Sequence, residues 1–120
     1  MQFFTIGYQG RTLEELLSLL QENGIKFVVD VRSKPNSRFK PDFNKKRLGE
    51  ALDQCSIEYK WKGDILGGFG EIKDPAIQAL AMWGEGKVFC LLCMERDSKA
   101  CHRSEIASRL VPYGLEAIHF

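Results

Sequence analysis

The amino-acid sequence predicts an α/β fold, a three-layer α/β/α sandwich around a mostly parallel sheet of about five strands. Short apolar segments alternate strictly with segments of helical periodicity, which is the pattern of a parallel sheet covered by helices on both faces. No linker, repeat or composition break interrupts the 120 residues. We therefore expect a single domain spanning 1–120.

The start of the chain predicts a strand, a helix and a second strand. Residues 3–6 (FFTI) form a short apolar strand, and residues 26–31 (KFVVDV) have the β-branched and aromatic content of a buried one. Between them, leucines recur at helical spacing over 12–23. Thr12 and Glu15 match a capping box at the beginning of this helix.

The rest of the chain continues the alternation. Proline and glycine residues separate the elements, and Asp74 followed by Pro75 is typical of a helix start. The predicted elements are, in order, a helix over 44–55, a strand over 57–61, a helix from 74 to 82 or 83, a strand over 87–92, a helix over 103–111 and a final strand over 115–120.

The chemically distinctive residues follow the predicted strands. In open parallel sheets, ligands bind beyond the carboxyl ends of the strands. The strand at 26–31 leads into DVRSKPNSR, and the strand at 87–92 leads into CMERDSKACHR. The sequence therefore predicts one functional site at that edge of the sheet.

Cysteines 90 and 93 have the spacing of a metal or redox pair. On one extended strand, however, positions three apart point to opposite faces, so the two thiols share neither a metal nor a disulfide. Cys90 and Cys55 are expected to pack in the interior, as free cysteines commonly do. Cys93 falls at the end of its strand, where a side chain enters the predicted site.

The residues around the start of the last helix leave three interpretations open. Free amide groups and the helix dipole lower the pKa of a nearby thiol and attract anions. In the first interpretation Cys93 or Cys101 is a nucleophile, Glu95 or His102 transfers protons, and Arg103 binds an anion. In the second, Cys93, Cys101 and His102 are metal ligands. In the third, the segment is purely structural.

A second group of candidate residues lies in the loop after the strand at 26–31. Arg32, Ser37 and Arg38 form a pattern that suits a phosphate or carboxylate. Asp30 either orients one of these arginines or acts as a base. Tyr8 follows the first strand at the same edge and is a weaker candidate for substrate binding. The alternative is a solvated basic loop in which Asp30 pairs with Arg32 structurally.

The charge distribution favours a local anion-binding region. The net charge is only +1, but residues 31–62 carry nine basic and four acidic side chains. A small anionic ligand is therefore the expected partner. A nucleic acid is the alternative, because Phe39 and Phe43 interleave with the basic residues of 32–47 and suit base stacking. More often such phenylalanines anchor a loop to the core.

Other classes of function are excluded by simple features. No apolar run approaches the 18 or so residues that span a bilayer, and the first residues lack the pattern of a signal peptide. Four cysteines without a secretory signal favour free thiols in the cytoplasm. No cofactor is predicted, since the glycine-rich LGGFG lacks the lysine and hydroxyl residue of a phosphate loop.

Four segments resemble the uncharacterised DUF488 family: TIGYQGRTLEELLSLL, VVDVRSKPNSRFKPDF, LGG and LLCMERDSKACHRSEIASRL. The resemblance runs in the same order over almost the whole chain. It implies a three-layer α/β domain with these motifs gathered in one pocket, and it implies no agreed activity. Tyr8 departs from the histidine that the family often has there.

A looser similarity is to rhodanese-type sulfurtransferases. It rests on an Asp-x-Arg after a strand and on a strand-end cysteine loop that leads into an Arg-Ser helix. Here the loop from Cys93 to Arg103 is longer and lacks the compact glycine-containing turn of those enzymes. The similarity is an analogy of fold and arrangement.

Overall fold

A computed structural model describes residues 1–68, 70–97 and 102–120 and confirms the predicted α/β fold. Its strands are β1 (Gln2–Gly7), β2 (Phe27–Asp30), β3 (Glu58–Trp61), β4 (Phe89–Cys93) and β5 (Glu116–His119). Its helices are α1 (Leu13–Glu22), α2 (Lys45–Gln54), α3 (Gly63–Leu66), α4 (Asp74–Gly84) and α5 (Arg103–Leu110). The strands form one sheet in the order β3-β2-β4-β1-β5, and each neighbouring pair is parallel.

Two buried clusters cover the two faces of the sheet. On one face the leucines of α1 and α2 pack against β4 through Cys90 and Leu92. On the other face the apolar residues of α4 and α5 pack against Phe3, Phe89 and Leu91. Burial of each amphipathic helix stripe against the sheet stabilises the sandwich.

The connections between strands leave a crevice above β4. The chain leaves β1 and β2 toward α1 and α2 on one face, while it leaves β4 toward α5 on the other. Such a divergence opens a space at the carboxyl ends of the strands. Cys93, the last residue of β4, lies at its base.

A local sequence signal explains the start of α1. At α1 the predicted capping box is present, with Glu15 N donating to Thr12 Oγ1 at 3.1 Å and Thr12 N donating to Glu15 Oε1 at 3.2 Å. The short helix α3 was not predicted, because its residues precede the glycine-rich stretch that was interpreted as a loop. The other helices and strands lie within two residues of their predicted limits. In the described part of the chain, no helix is long and apolar enough to cross a membrane.

Candidate functional site

A cavity of about 380 Å³ lies at the carboxyl ends of β1, β2 and β4. This volume is within the usual range of small-molecule sites. Its walls come from the loops that follow these three strands, from the start of α5 and from the loop after α3. The lining residues are Tyr8, Arg32, Ser33, Lys34, Asn36, Ser37, Gly68, Cys93, Met94, Glu95 and His102.

Arg32 is held in the cavity wall by a buried carboxylate. Its Nε and Nη2 atoms donate to the two oxygens of Asp30 at 2.9 and 2.8 Å, and its backbone N–H donates to Asp30 Oδ1 at 3.0 Å. Tyr59 also donates its hydroxyl to Asp30. Burial lowers the pKa of Arg32, but the hydrogen bond and charge of Asp30 outweigh this effect and raise the pKa overall. The guanidinium therefore stays cationic.

The remaining edge of the Arg32 guanidinium is available to a ligand. Nη1 makes no hydrogen bond to any residue that the structure describes, and the guanidinium lies 5.3 Å from the centroid of the Tyr8 ring. Tyr8 in turn stacks on Phe43, with ring centroids 4.5 Å apart. This support fixes the guanidinium in position and leaves one edge toward the cavity, a geometry that suits a ligand with acceptor oxygens.

Asp30 itself lies behind Arg32 and does not line the cavity. It is fully buried, and four hydrogen bonds from Arg32 and Tyr59 occupy its oxygens. Of the two roles open to Asp30 in the sequence, this geometry favours orientation of the arginine over action as a base.

Cys93 and Cys90 lie on opposite faces of the sheet, as the strand geometry predicts. Cys90 packs with the residues of α1 and α2, and its burial raises the pKa of its thiol. Cys93 belongs to the cluster on the α4 and α5 face and lines the cavity at the strand end. Its Sγ lies 3.5 Å from the carbonyl oxygen of Glu95. The spacing of the pair is therefore unrelated to metal or disulfide chemistry.

Two side chains able to transfer protons line the same cavity as Cys93. His102 Nε2 lies 2.7 Å from the carbonyl oxygen of Val31, and since a carbonyl only accepts, Nε2 carries the proton. In this tautomer a neutral ring has its lone pair on Nδ1. That nitrogen is turned toward Gly68, where an added Cβ would lie 3.0 Å from it. Glu95 contributes a half-buried carboxyl group.

Arg103 points away from the cavity, although the sequence had grouped it with Arg32. It is fully buried, and it donates to Thr5 Oγ1 at 3.0 Å and to the carbonyl oxygens of Glu95 and Arg96 at 3.2 and 2.8 Å. Its Nε is buried without a hydrogen-bond partner in the described part of the chain. These contacts give Arg103 a structural role: it holds the loop that follows Cys93.

The loop between β2 and α2 brings Ser37 to the cavity and leaves Arg38 outside it. The backbone N–H of Ser37 donates to Asn44 Oδ1 at 2.6 Å. Arg38 is exposed. Sequence reasoning did not single out Lys34 or Asn36, which also line the cavity. Their position in the same proline-flanked loop was the available signal.

The metal-binding interpretation depends on Cys101, which lies outside the described residues. Among the residues that the structure does describe, no group of three or more His, Cys, Asp or Glu side chains is arranged to hold a metal ion. The same limit applies to Cys101 as a nucleophile. The geometry therefore gives an account of Cys93 only.

Comparison with known families identifies the chain. Residues 12–74 match the family model described as "Domain of unknown function DUF488". The chain belongs to the DUF488 family. The match contains Asp30, Arg32 and Ser37, whereas Cys93 and His102 lie beyond the matched residues. Comparison with curated proteins and comparison with solved structures each find no match to this DUF488 chain.

Proposed function

We propose that this DUF488 protein is an enzyme that transfers a group from an anionic substrate, with Arg32 as the anion-binding residue and Cys93 as the nucleophile. The observation that supports the proposal is the shared cavity. The Arg32 guanidinium, the Cys93 thiol and two proton-transfer groups, Glu95 and His102, line a single space, although Arg32 comes from the loop after β2 and the others from the end of β4 to the start of α5. These are the components of nucleophilic catalysis on a charged substrate.

With a phosphate ester as the substrate, the reaction proceeds in two steps. The Cys93 thiol gives its proton to Glu95 or to His102 Nδ1, and Sγ attacks the phosphorus atom. The sulfur–phosphorus bond forms as the phosphorus–oxygen bond to the leaving group breaks. The leaving oxygen takes the electron pair and then the proton that Sγ released. Water hydrolyses the thiophosphate, which returns the thiol and releases phosphate.

Arg32 contributes to this reaction electrostatically. Its outer edge faces the cavity, while Asp30 holds the opposite edge. A substrate oxygen that gains negative charge as Sγ attacks is stabilised by a cation already fixed in place. The same contact with Arg32 is open to a sulfur-containing anion.

Alkylation of the native protein tests the proposal. We expect iodoacetamide at pH 6 to modify Cys93 faster than a free model thiol, and we expect inorganic phosphate to slow the modification by about tenfold. Peptide mass spectrometry in a Cys55→Ser background assigns the modified residue. Cys90 is an internal control, since it does not line the cavity and its raised pKa keeps the thiol protonated.

A matched pair of arginine variants distinguishes phosphate binding in the cavity from a general effect of positive charge. Arg32→Lys keeps a cation beside Asp30 but loses the planar fork, so we expect phosphate protection to fall by about tenfold. Arg38→Lys makes the same change in the same loop outside the cavity and is expected to leave protection unchanged. A Cys93 that reacts no faster than the model thiol contradicts the nucleophile. Equal effects of the two variants contradict the anion site.

A further inference from the structure

Phe39 is the most exposed of the large hydrophobic side chains in the described part of the chain, with 85% of its surface accessible to solvent. Phe43, four positions later, is buried and stacks on Tyr8. The two phenylalanines that interleave with basic residues therefore differ in role. Phe43 anchors the loop to the core, whereas Phe39 presents an aromatic ring to solvent.

The backbone around Phe39 is held at several points. The carbonyl oxygen of Pro35 accepts from Lys45 N at 2.9 Å, which ties the loop to the beginning of α2. Asn44 Oδ1 accepts from Ser37 N at 2.6 Å, and Ser37 Oγ accepts from Phe39 N at 3.1 Å. The exposed ring is therefore presented by an ordered loop, which reduces the entropy lost when a ligand binds.

Exposed basic residues flank Phe39 in the sequence and continue at the start of α2. Arg38, Lys40, Lys45 and Lys46 are exposed, and none of them forms an ion pair with a residue that the structure describes. We call these four residues and Phe39 the basic platform. The neighbouring Arg47, by contrast, is paired with Asp42 at 3.0 Å. The uncompensated charge of the platform attracts polyanions even though the whole chain is nearly neutral.

Two lysines of the basic platform lie next to the cavity. Asn36 lines the cavity, and it also lines an open depression with Lys45 and Lys46, in which Glu50 and Asp53 lie as well. A ligand that leaves the cavity past Asn36 therefore reaches these two lysines first. An extended polyanion with one end in the cavity matches this arrangement.

We propose that the basic platform binds single-stranded nucleic acid, with a base stacked on Phe39 and phosphates on the four cations, and that a terminal phosphate enters the cavity at Arg32. Only the last step rests on the proposed function. Stacking on an exposed ring beside a row of cations is the usual physical basis of sequence-tolerant single-strand binding. An anionic membrane fits less well, because the platform has one aromatic ring and no apolar face to insert.

Fluorescence anisotropy with a labelled oligothymidine of about 12 nucleotides tests the platform. If the four cations contact phosphates, we expect the affinity to fall about 50-fold between 50 and 200 mM salt, from a slope near −0.7 per contact. Phe39→Ala is expected to weaken binding about tenfold. The double variant Arg38→Gln, Lys46→Gln is expected to lower the salt slope by about 1.4.

Lys26→Gln is the matched control for the lost charges. Lys26 is exposed at the amino end of β2, on the opposite edge of the sheet, so its removal is expected to leave binding and salt slope unchanged. Binding that ignores salt, or that responds equally to Lys26→Gln, overturns the proposal. Tighter binding to phosphatidylserine vesicles, unaffected by Phe39→Ala, overturns it as well.

The binding assay is independent of the chemistry at Cys93, so the two proposals fail separately. Loss of phosphate protection at Cys93 with intact oligonucleotide binding contradicts only the proposed enzyme. Delivery of the strand end is tested by alkylation. An oligothymidine with a terminal phosphate is expected to protect Cys93 about tenfold better than the same strand without it. Equal protection by the two strands contradicts the delivery step.

Discussion

Arg32 and Arg103 are both buried arginines near the carboxyl edge of the sheet, and their surroundings differ in one decisive respect. Arg32 is paired with the buried carboxylate of Asp30 and keeps an edge toward the cavity. Arg103 is fully buried against Thr5 and two backbone carbonyls, without an ion pair in the described part of the chain. A guanidinium that a carboxylate holds on one edge can still bind a ligand with its other edge. A guanidinium that protein oxygens surround can only stabilise the fold.

The loops that follow β2 and β4 differ in the same way. The loop after β2 carries the guanidinium of the proposed anion site, and the loop after β4 follows directly on Cys93, which carries the proposed nucleophile. Arg103 holds the loop after β4 from the side opposite the cavity, by donating hydrogen bonds to the carbonyl oxygens of Glu95 and Arg96. A variant of Arg32 is therefore expected to change ligand binding first, and a variant of Arg103 to change stability first.

The largest expected effect is the loss of stability in Arg103→Ala. The change leaves a cavity and three acceptor groups without their donor, so we expect the free energy of unfolding to fall by about 4 kcal/mol. Urea denaturation followed by circular dichroism measures it. Arg38→Ala is the control, because Arg38 is exposed and its replacement is expected to change the free energy by less than about 0.5 kcal/mol. An Arg103→Ala variant as stable as the unmodified protein would contradict the structural role of Arg103.

Two glycines provide a second, smaller test, since each is in close contact with one of the loops. A Cβ at Gly7 would lie 1.7 Å from the carbonyl oxygen of Glu95, and a Cβ at Gly63 would lie 1.8 Å from that of Arg32. We expect each alanine variant to lose about 2–3 kcal/mol, because a backbone atom must move in both cases.

The glycine variants are expected to differ in function. Gly7→Ala should disturb alkylation of Cys93, and Gly63→Ala should disturb phosphate protection by Arg32. Gly70→Ala is the matched control, since an added Cβ there meets no atom within 4 Å. Identical effects of Gly7→Ala and Gly63→Ala on both readouts would show that the two loops do not act separately.

The smallest expected effect is a pH dependence that passes through Arg103. Burial, and then the charge of Arg103, lower the pKa of His119 below its usual value near 6.5. Thr5 Oγ1 links the two side chains, because it accepts from Arg103 and is hydrogen-bonded to His119 Nδ1. The unfolded chain therefore binds the proton more readily than the folded one.

The protein is therefore expected to lose stability as the pH falls. The stability that neutral His119 contributes is complete above about pH 7 and is lost as pH falls through 6.5 toward the lowered folded value. His119→Asn retains an acceptor but does not titrate, so it should reduce the fall in unfolding free energy between about pH 7 and 5. Urea titrations at these pH values measure the slope. An unchanged slope would show that folding does not lower the pKa of His119.

The sequence predicted the fold well because its signals are local. The capping box at Thr12, the apolar content of β2 and β4 and the leucine periodicity of α1 each depend on neighbours a few residues away. The sequence also predicted which residues follow the strands at the carboxyl edge of the sheet and the separation of Cys90 from Cys93, since both follow from strand geometry alone. Helix α3 was missed because it is a single turn beside a run of glycines.

The sequence by itself determined which residues reach the carboxyl edge of the sheet, because alternating strands and helices bring every strand end there. Only the tertiary structure decided what each residue does at that edge. Arg32 and Arg103 have the same side chain but different partners. Asp30 pairs with the edge of Arg32 that faces away from the cavity, whereas β1 and the loop after β4 enclose Arg103. Burial and hydrogen-bond partners depend on segments distant in sequence, so no local pattern encodes them.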